Sequence, residues 1–247
     1  MSIVFGLDFG TANSALSVNI DGKVHLLDID KDNPVGMTLK SVLYFYNEDQ
    51  ERNIYAGHEA VQNYIDTGGE GRFLQSIKSF LPDATFEKTE IYKKNYTIEE
   101  LIALILKKIK ERGEEIIGSS VNDLIIGRPV VFSEEKENDE LAERRLIEAA
   151  KIAGFKNINL QLEPIAAALN FENSFKSNEE IKNCVNSVLS QAGLTNKDID
   201  LVSLTGGSSF IPIIYKIFTE TFGIEKINQS DAFTSVAYGL GVYSTMI

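Results

Sequence analysis

A short polar segment near the start of the chain carries residue types suited to phosphate and magnesium. Asp8-Phe9-Gly10-Thr11-Ala12-Asn13-Ser14 follows an apolar run and precedes an alternating one. A tight glycine-containing turn between two strands presents successive backbone N–H groups to phosphate oxygens, and Thr11 adds a hydroxyl donor. Asp8 cannot bind phosphate directly because both are negative, but it can hold Mg²⁺ through the metal's water shell. The same residues also fit an ordinary hairpin with a polar turn.

A second glycine-containing segment lies near the end of the chain. Thr-Gly-Gly-Ser-Ser-Phe-Ile-Pro (205–212) follows an apolar run and precedes a predicted helix. Gly206 and Gly207 let backbone approach a flat ligand closely, and the helix N-terminus supplies N–H groups with a positive dipole end. Phe210 could lie against an adenine face. The spacing matches neither a Walker A loop nor a Rossmann glycine motif, and an ordinary strand-to-helix turn is an alternative.

Two isolated charges are further candidates. Lys78 stands alone in the apolar stretch FLQSIKSFLPD (73–83), and Glu163 precedes Pro164 at a predicted strand-to-helix junction. Glu163 could orient water or a metal there. Alternatively, Lys78 is a surface lysine whose aliphatic chain covers apolar neighbours. Glu163 is then an acidic residue stabilised by the dipole at the helix N-terminus.

The elements that must position these residues follow from hydrophobic periodicity. Predicted strands span 3–9, 14–20, 23–29, 41–46, 123–132, 157–162 and 199–207. Predicted helices span 97–118, 138–153, the segment from Pro164, 177–193, 211–222 and 231–245. Asp21-Gly22 between two alternating runs is typical of a hairpin. Residues 57–95 show weak periodicity. Alternating strands and helices after an antiparallel opening indicate an α/β protein with a mixed sheet.

Capping residues mark where two of these helices begin. Thr97 with Glu100 and Ser177 with Glu180 form predicted capping boxes. The second helix is predicted to bury an apolar stripe. That stripe comprises Ile181, Val185, Val188, Leu189 and Ala192. Cys184, the single cysteine, lies among these positions and is predicted to be a core residue rather than a nucleophile.

Composition excludes several classes of function. The chain has 247 residues and a formal net charge of -12, which argues against nucleic acid or an anionic membrane as partner. Apolar runs are too short to span a bilayer. His25 and His58 lack neighbours at metal-ligand spacing. A single cysteine and the lack of a leader-like N-terminus favour the cytoplasm.

Taken in order, the motifs resemble those of DnaK-type heat-shock chaperones, in the superfamily that includes actin and the sugar kinases. GLDFGTANS resembles the first phosphate loop, FLQSIKSFLPD the segment carrying a phosphate-facing lysine, and IDLVSLTGGSSFIP the adenosine motif. DLIIGRPVVF and ERRLIEAAKIAGFKNINLQLEPIAAALNFE resemble the strand, helix, strand and first interdomain helix, and SDAFTSVAYGLG resembles the second connecting helix. The sequences of these motifs are most similar to those of YegD-like proteins, DnaK relatives that lack the usual peptide-binding domain.

The resemblance implies an ATPase with two ribonuclease-H-like lobes around a cleft for ATP or ADP with Mg²⁺. Asp8 would order the water shell of the metal, Lys78 would stabilise charge on the γ-phosphate, and Glu163 would position water and metal. Residues implied to contact the β- and γ-phosphates are Gly10, Thr11, Ala12 and Asn13. Residues implied to border adenosine are Gly206, Gly207, Ser208 and Phe210.

The chain departs from the family pattern at one place above all. The second phosphate loop, of the type Asp-Ile-Gly-Gly-Gly-Thr-Thr-Asp, is missing, and only NSFKSNEE lies between Glu172 and Ile181. Ala12 replaces a commoner threonine, and Phe210 a common arginine. We therefore expect a largely complete first lobe over 1–171 with a peripheral insertion at about 40–96, a remnant of the second lobe over 172–230, and a connecting helix over 231–247 that returns to the first lobe.

This arrangement predicts an ATP-binding protein with an internal deletion and weak or absent hydrolysis, because one side of the phosphate clamp is lost. Nucleotide is the expected partner, with a protein partner or a second copy binding at the truncated second lobe. Two alternatives stay open. One is a non-catalytic assembly module on an actin-like scaffold, and the other is a fragment of a full-length ATPase. A sugar kinase is a weaker alternative, because outside the phosphate loop the sequence is more similar to YegD-like proteins than to sugar kinases.

Overall fold

The structure is a computed structural model that describes residues 3–20, 22–33, 37–48, 51–174, 178–204 and 212–228. The chain divides into two compact units, Met1–Gln161 and Leu162–Ile247.

The first unit is built on a six-stranded mixed sheet. Its strands are β1 (Val4–Phe9), β2 (Asn13–Ile20), β3 (Lys23–Leu27), β4 (Leu39–Lys40), β10 (Asp123–Arg128) and β11 (Asn157–Leu162). The order is β11-β10-β1-β2-β3, and β4 pairs with β2. β1 is parallel to β10 and antiparallel to β2. The predicted hairpin is confirmed, since Ile20 lies opposite Lys23 and Gly22 takes a φ of 81°.

Two helices, α2 (Ile98–Ile117) and α3 (Lys136–Ile152), pack against each other and contribute to the same core as the main sheet. The predicted capping box is confirmed: Thr97 Oγ1 accepts the Glu100 N–H at 3.3 Å, and Glu100 Oε2 accepts the Thr97 N–H at 2.9 Å. Gly118 ends α2 with a left-handed φ of 71°. Fully buried side chains of this core include Phe5, Phe9, Leu16, Ile102, Ile105, Leu106 and Leu146.

A smaller layer of the first unit lies between β4 and α2 in the chain. It contains β5 (Leu43–Glu48), β6 (Glu51–Ala56), α1 (His58–Asp66), β7 (Arg72–Leu74), β8 (Thr89–Ile91) and β9 (Lys94–Tyr96). β5 is the central strand of an antiparallel β6-β5-β7 sheet, and β8 pairs with β9. α1 falls in the region of weak periodicity: it is short, Gly57 gives it no side-chain cap, and it buries only Ala60.

The second unit contains α4 (Glu163–Ser174), α5 (Asn178–Ala192), β12 (Val202–Ser203), α6 (Pro212–Phe222) and β13 (Ile227–Asn228). Pro164 lies in the first turn of α4, as predicted. β12 and β13 are parallel, and α6 packs against α5 and β13. The predicted Ser177 cap, the end of the strand predicted over 199–207 and the helix predicted over 231–245 lie outside the described residues.

Two burial predictions are wrong. Cys184 is exposed rather than in a core, and on the predicted stripe of α5 Val188 is 60% exposed, whereas Val185 is only half-buried. The contact with α6 covers only part of the apolar stripe in the described part of this unit. In the first unit, the strand predicted over 123–132 ends at Arg128, since Pro129 cannot donate to the ladder, and its Ile125 is 43% exposed.

Candidate functional site

The candidate phosphate loop connects β1 to β2 in a turn that has no room for a side chain at Gly10. The last pair of the antiparallel ladder joins Phe9 to Ser14. A Cβ atom added to Gly10 would lie 2.2 Å from the carbonyl oxygen of Asn13. Asp8, Thr11, Ala12 and Asn13 are all exposed around this turn. Backbone and small polar side chains are therefore presented together, as a phosphate-binding turn requires.

A hydrogen bond between two buried hydroxyl groups anchors this loop. Ser14 Oγ and Ser41 Oγ are 2.9 Å apart, and both residues are at least 98% buried. The Ser41 N–H also donates to the Ala12 carbonyl oxygen at 2.9 Å, and Lys40 pairs with Asn13 in the β2–β4 ladder. The loop is thus anchored to the segment that leads into β5, which fixes its geometry before any ligand binds.

Asp8 gives the loop one hard oxygen ligand. It lies on β1 opposite Ala15, with its side chain exposed. Within the described ranges, no group of three or more His, Cys, Asp or Glu residues could hold a metal ion. This donor set fits Mg²⁺, which usually takes one or two carboxylates and keeps water and phosphate oxygens as its other ligands.

The topology brings the Lys78 segment to the same end of β5 as the loop anchor. Lys78 is half-buried in a 3-10 turn, Ile77–Phe80, that follows β7. Leu74 at the end of β7 lies opposite Leu43 at the start of β5. The chain therefore leaves β7 next to the segment of Ser41, which is bonded to the loop.

Arg128 and Asp139, which the sequence did not single out, organise the turn after β10. Arg128 Nη2 lies 3.1 and 3.0 Å from the two carboxylate oxygens of Asp139, and Nη1 donates to Glu143 at 2.7 Å. Partial burial alone would raise the pKa of Asp139, but the Phe132 N–H and Arg128 stabilise its charged form and hold the pKa below its usual value. The sequence signal was an arginine directly before a proline at a strand end.

Arg145 is a second functional candidate that the sequence analysis missed. Its guanidinium donates to backbone carbonyl oxygens of the segment after Lys78, over residues 81–86. Arg145 follows Ala142 by three positions and precedes Ala149 by four, so it lies on the buried face of α3. A charged residue at an apolar position of a helical pattern was the available signal.

The remaining predicted site residues lie outside the unit that carries the loop or outside the described residues. Glu163 is the first residue of α4 and is half-buried, but it belongs to the second unit. Gly206, Gly207, Ser208 and Phe210 lie outside the described residues. No helix among the described residues has the length and apolar character that a bilayer span needs.

A comparison with protein families gives one match. The model of the Hsp70 protein family matches residues 4–181 and again residues 176–246. The first stretch alone covers more than half of the 247 residues, and the mixed α/β architecture, with six helices among the described residues, is consistent with the actin-like fold of this family. Members of the family generally bind ATP or ADP with Mg²⁺ and act on client proteins. This chain belongs to the Hsp70 family.

Proposed function

We propose that this chain binds ATP and ADP with Mg²⁺ at the β1–β2 loop and hydrolyses ATP weakly or not at all. The observation that carries the proposal is the turn at Gly10, where a Cβ would meet the Asn13 carbonyl oxygen at 2.2 Å. This tight turn leaves Asp8, Thr11 and Asn13 exposed together. Its anchor at Ser41 lies where the Lys78 segment leaves β7.

Each residue of the loop has a distinct role in this proposal. Asp8 orders the water shell of Mg²⁺, which supplies positive charge to the phosphates when it is bound. The Thr11 hydroxyl and the backbone of Gly10, Ala12 and Asn13 bind β- and γ-phosphate oxygens. Lys78 places its ammonium group toward the γ-phosphate.

Roles are also proposed for residues outside the first unit. Glu163 is assigned to the positioning of water and metal. Gly206, Gly207, Ser208 and Phe210 are assigned to the binding of adenosine. These roles rest on the likeness of their motifs to the family pattern.

Weak hydrolysis follows from the missing second phosphate loop. The match to the family model breaks into two at 176–181, in the NSFKSNEE segment where that loop is expected. This break supports the proposed internal deletion, which would leave the second lobe truncated. The proposal that the chain is YegD-like rests on the likeness of its motifs alone. Phosphoryl transfer depends on positioning and charge stabilisation, and loss of a single preorganised donor lowers kcat by about 10²- to 10³-fold in a well-studied protease.

The test measures Mg-ADP affinity by calorimetry and ATP turnover by phosphate release. We expect saturable Mg-ADP binding that weakens in Asp8→Asn. The matched control is Asp66→Asn, which replaces an exposed aspartate on α1. Absence of Mg-ADP binding in the folded wild-type protein would refute the proposed binding. Robust turnover that is lost in both Asp8→Asn and Lys78→Ala would refute the proposal that the deletion weakens hydrolysis.

A second candidate function is a non-catalytic assembly module that pairs through the second unit. Large apolar side chains of this unit are exposed, with Val188 at 60%, Leu201 at 61% and Ile224 at 68%. Surfaces of this kind favour association with another chain. Light scattering across a concentration series tests this function: a monomer at all concentrations, together with nucleotide binding, would argue against it.

A further inference from the structure

The guanidinium group of Arg145 donates hydrogen bonds to backbone carbonyl oxygens of the turn that follows Lys78 in the chain. Its Nη1 donates to the carbonyl oxygens of Leu81 at 3.0 Å and Asp83 at 2.8 Å. Its Nη2 donates to the carbonyl oxygen of Phe86 at 2.8 Å. The side chain of Arg145 is only 11% exposed. Nη1 also lies 3.4 Å from the carbonyl oxygen of Phe80. One guanidinium on α3 therefore contacts four carbonyl oxygens of one short segment about 60 positions earlier in the chain.

A carboxylate holds the same guanidinium from another element. Arg145 Nε lies 3.4 Å from Glu99 Oε1, and Glu99 lies in the first turn of α2 with its side chain 22% exposed. The position of Arg145 is thus set by both α2 and α3. The turn is consequently fixed to the two helices α2 and α3.

The clamped turn is continuous with the 3-10 turn that carries Lys78. The Leu81 N–H donates to the Lys78 carbonyl oxygen at 3.1 Å, and the Leu81 side chain is completely buried. Farther along, Asp83 Oδ1 accepts the Thr85 N–H at 2.9 Å, and the Phe86 N–H donates to the Asp83 carbonyl oxygen at 3.1 Å. Displacement of the carbonyl groups held by Arg145 would therefore move the backbone of Lys78.

We propose that Arg145 is a positioning residue that sets where Lys78 presents its ammonium group, and this rests on the nucleotide role proposed for Lys78. An arginine suits the task because its planar fork offers five N–H donors in fixed directions. A lysine at this position would keep the charge but carries its three N–H donors on a single nitrogen and lacks the planar fork. Arg145 itself touches backbone and Glu99, not the proposed nucleotide.

The clamp is tested first without nucleotide. Hydrogen exchange of the peptide covering residues 77–86 is compared among wild type, Arg145→Gln, Arg145→Lys and Arg144→Gln. Arg144 is the matched control because it is the neighbouring arginine on α3, its side chain is 65% exposed, and it pairs with Glu140 at 4.0 Å. We expect faster exchange in both Arg145 variants and unchanged exchange in Arg144→Gln. Unchanged exchange in the Arg145 variants would overturn the clamp.

The link to Lys78 is tested by a double-mutant cycle with Mg-ATP and Mg-ADP as probes. We expect Arg145→Gln to weaken Mg-ATP affinity about tenfold, within the range of coupled neighbours, and to weaken Mg-ADP affinity less. The reason is that Lys78 faces the γ-phosphate, which ADP lacks. In a Lys78→Ala background the same substitution should have little further effect. Arg145→Lys should not restore the ATP preference.

Three results would overturn the link in distinguishable ways. Equal losses of ATP and ADP affinity in Arg145→Gln would indicate a merely structural role. Additive losses in the double variant would show that Arg145 does not act through Lys78. If Lys78→Ala leaves ATP affinity unchanged while Asp8→Asn lowers it, the assigned role of Lys78 is wrong but nucleotide binding at the loop stands.

Discussion

Replacement of Gly10 by alanine puts a methyl group where the loop already has a backbone atom. The added Cβ would lie 2.2 Å from the Asn13 carbonyl oxygen, whereas real Cβ atoms almost never approach a heavy atom within 3.0 Å. The neighbouring atom belongs to the backbone, so it cannot move aside as a flexible side chain can. The φ of Gly10 is not positive, so the penalty is steric rather than torsional.

The size of the effect follows from the required displacement. Relief of the contact needs a shift of about 1 Å in the loop, and a misplacement of that size in a functional site can cost about 100-fold in rate. We expect the affinity of Gly10→Ala for Mg-ADP to fall by about one to two orders of magnitude. The Ser14–Ser41 anchor and the buried β1–β2 ladder should keep the fold intact, with an unchanged circular dichroism spectrum.

A fluorescent ADP titration measures the affinity, with Gly22→Ala as the matched control. Gly22 lies in the hairpin at the other end of β2, has a φ of 81°, and would present its Cβ to open space. Alanine there should cost about 1–2 kcal/mol of stability, because it holds a left-handed conformation, and leave affinity unchanged. Wild-type ADP affinity in a folded Gly10→Ala protein would refute the reasoning about the loop.

Three further predictions concern stability. Because the pKa of Asp139 is lowered in the fold, its carboxylate stabilises the protein at pH above the unfolded value of about 3.9, and this contribution disappears as pH falls through the lower folded pKa. The free energy of unfolding should therefore fall less steeply between pH 6 and 2 in Asp139→Asn than in wild type. Equal slopes would contradict the interpretation that Arg128 and its neighbours stabilise the charged form of Asp139. Ser14→Ala should lower the free energy of unfolding in urea by about 1–3 kcal/mol, because the buried Ser41 hydroxyl loses its partner. The double variant with Ser41→Ala should recover part of that loss. If it recovers none, the hydroxyl pair is not the cause of the loss. Leu146→Ala should cost about 2–5 kcal/mol in the same assay because the side chain is completely buried, and a loss below 1 kcal/mol would contradict its place in the core.

Local signals predicted the parts of the fold whose causes lie close together in the chain. The start of α2 was predictable because Thr97 and Glu100 satisfy each other's backbone within one turn. The β2–β3 hairpin was predictable because Asp-Gly suits a two-residue turn. α1 gave a weaker signal, since it has nine residues and no side-chain cap.

Burial was predictable only in part, because periodicity identifies the apolar face of a helix but not what covers it. On α2 the stripe containing Ile102 and Ile105 is fully buried. On α5 the equivalent pattern leaves Val188 60% exposed and Cys184 exposed, since α6 covers only part of it. The same argument applies to β10, where Ile125 lies on the exposed face.

The candidate site divides in a similar way. The sequence predicted that Gly10 belongs to a tight turn, but the reason for glycine, the Asn13 carbonyl oxygen, is a property of the folded backbone. Arg145 could not be assigned because its partners are backbone carbonyl groups of residues 81–86, which leave no side-chain pattern in the sequence. Sequence reasoning therefore finds loops that touch a ligand more readily than side chains that hold such loops in place.

We propose that the loop binds Mg-nucleotide in a chain with little capacity to hydrolyse it. One experiment tests both halves: the folded protein is mixed in excess with γ-labelled ATP and Mg²⁺, and bound label and released phosphate are followed together. We predict that the wild-type protein retains ATP and hydrolyses it slowly or not at all, and that Asp8→Asn does not retain ATP. Wild-type protein that fails to retain ATP, or that rapidly converts the bound ATP to ADP and phosphate, would contradict the account.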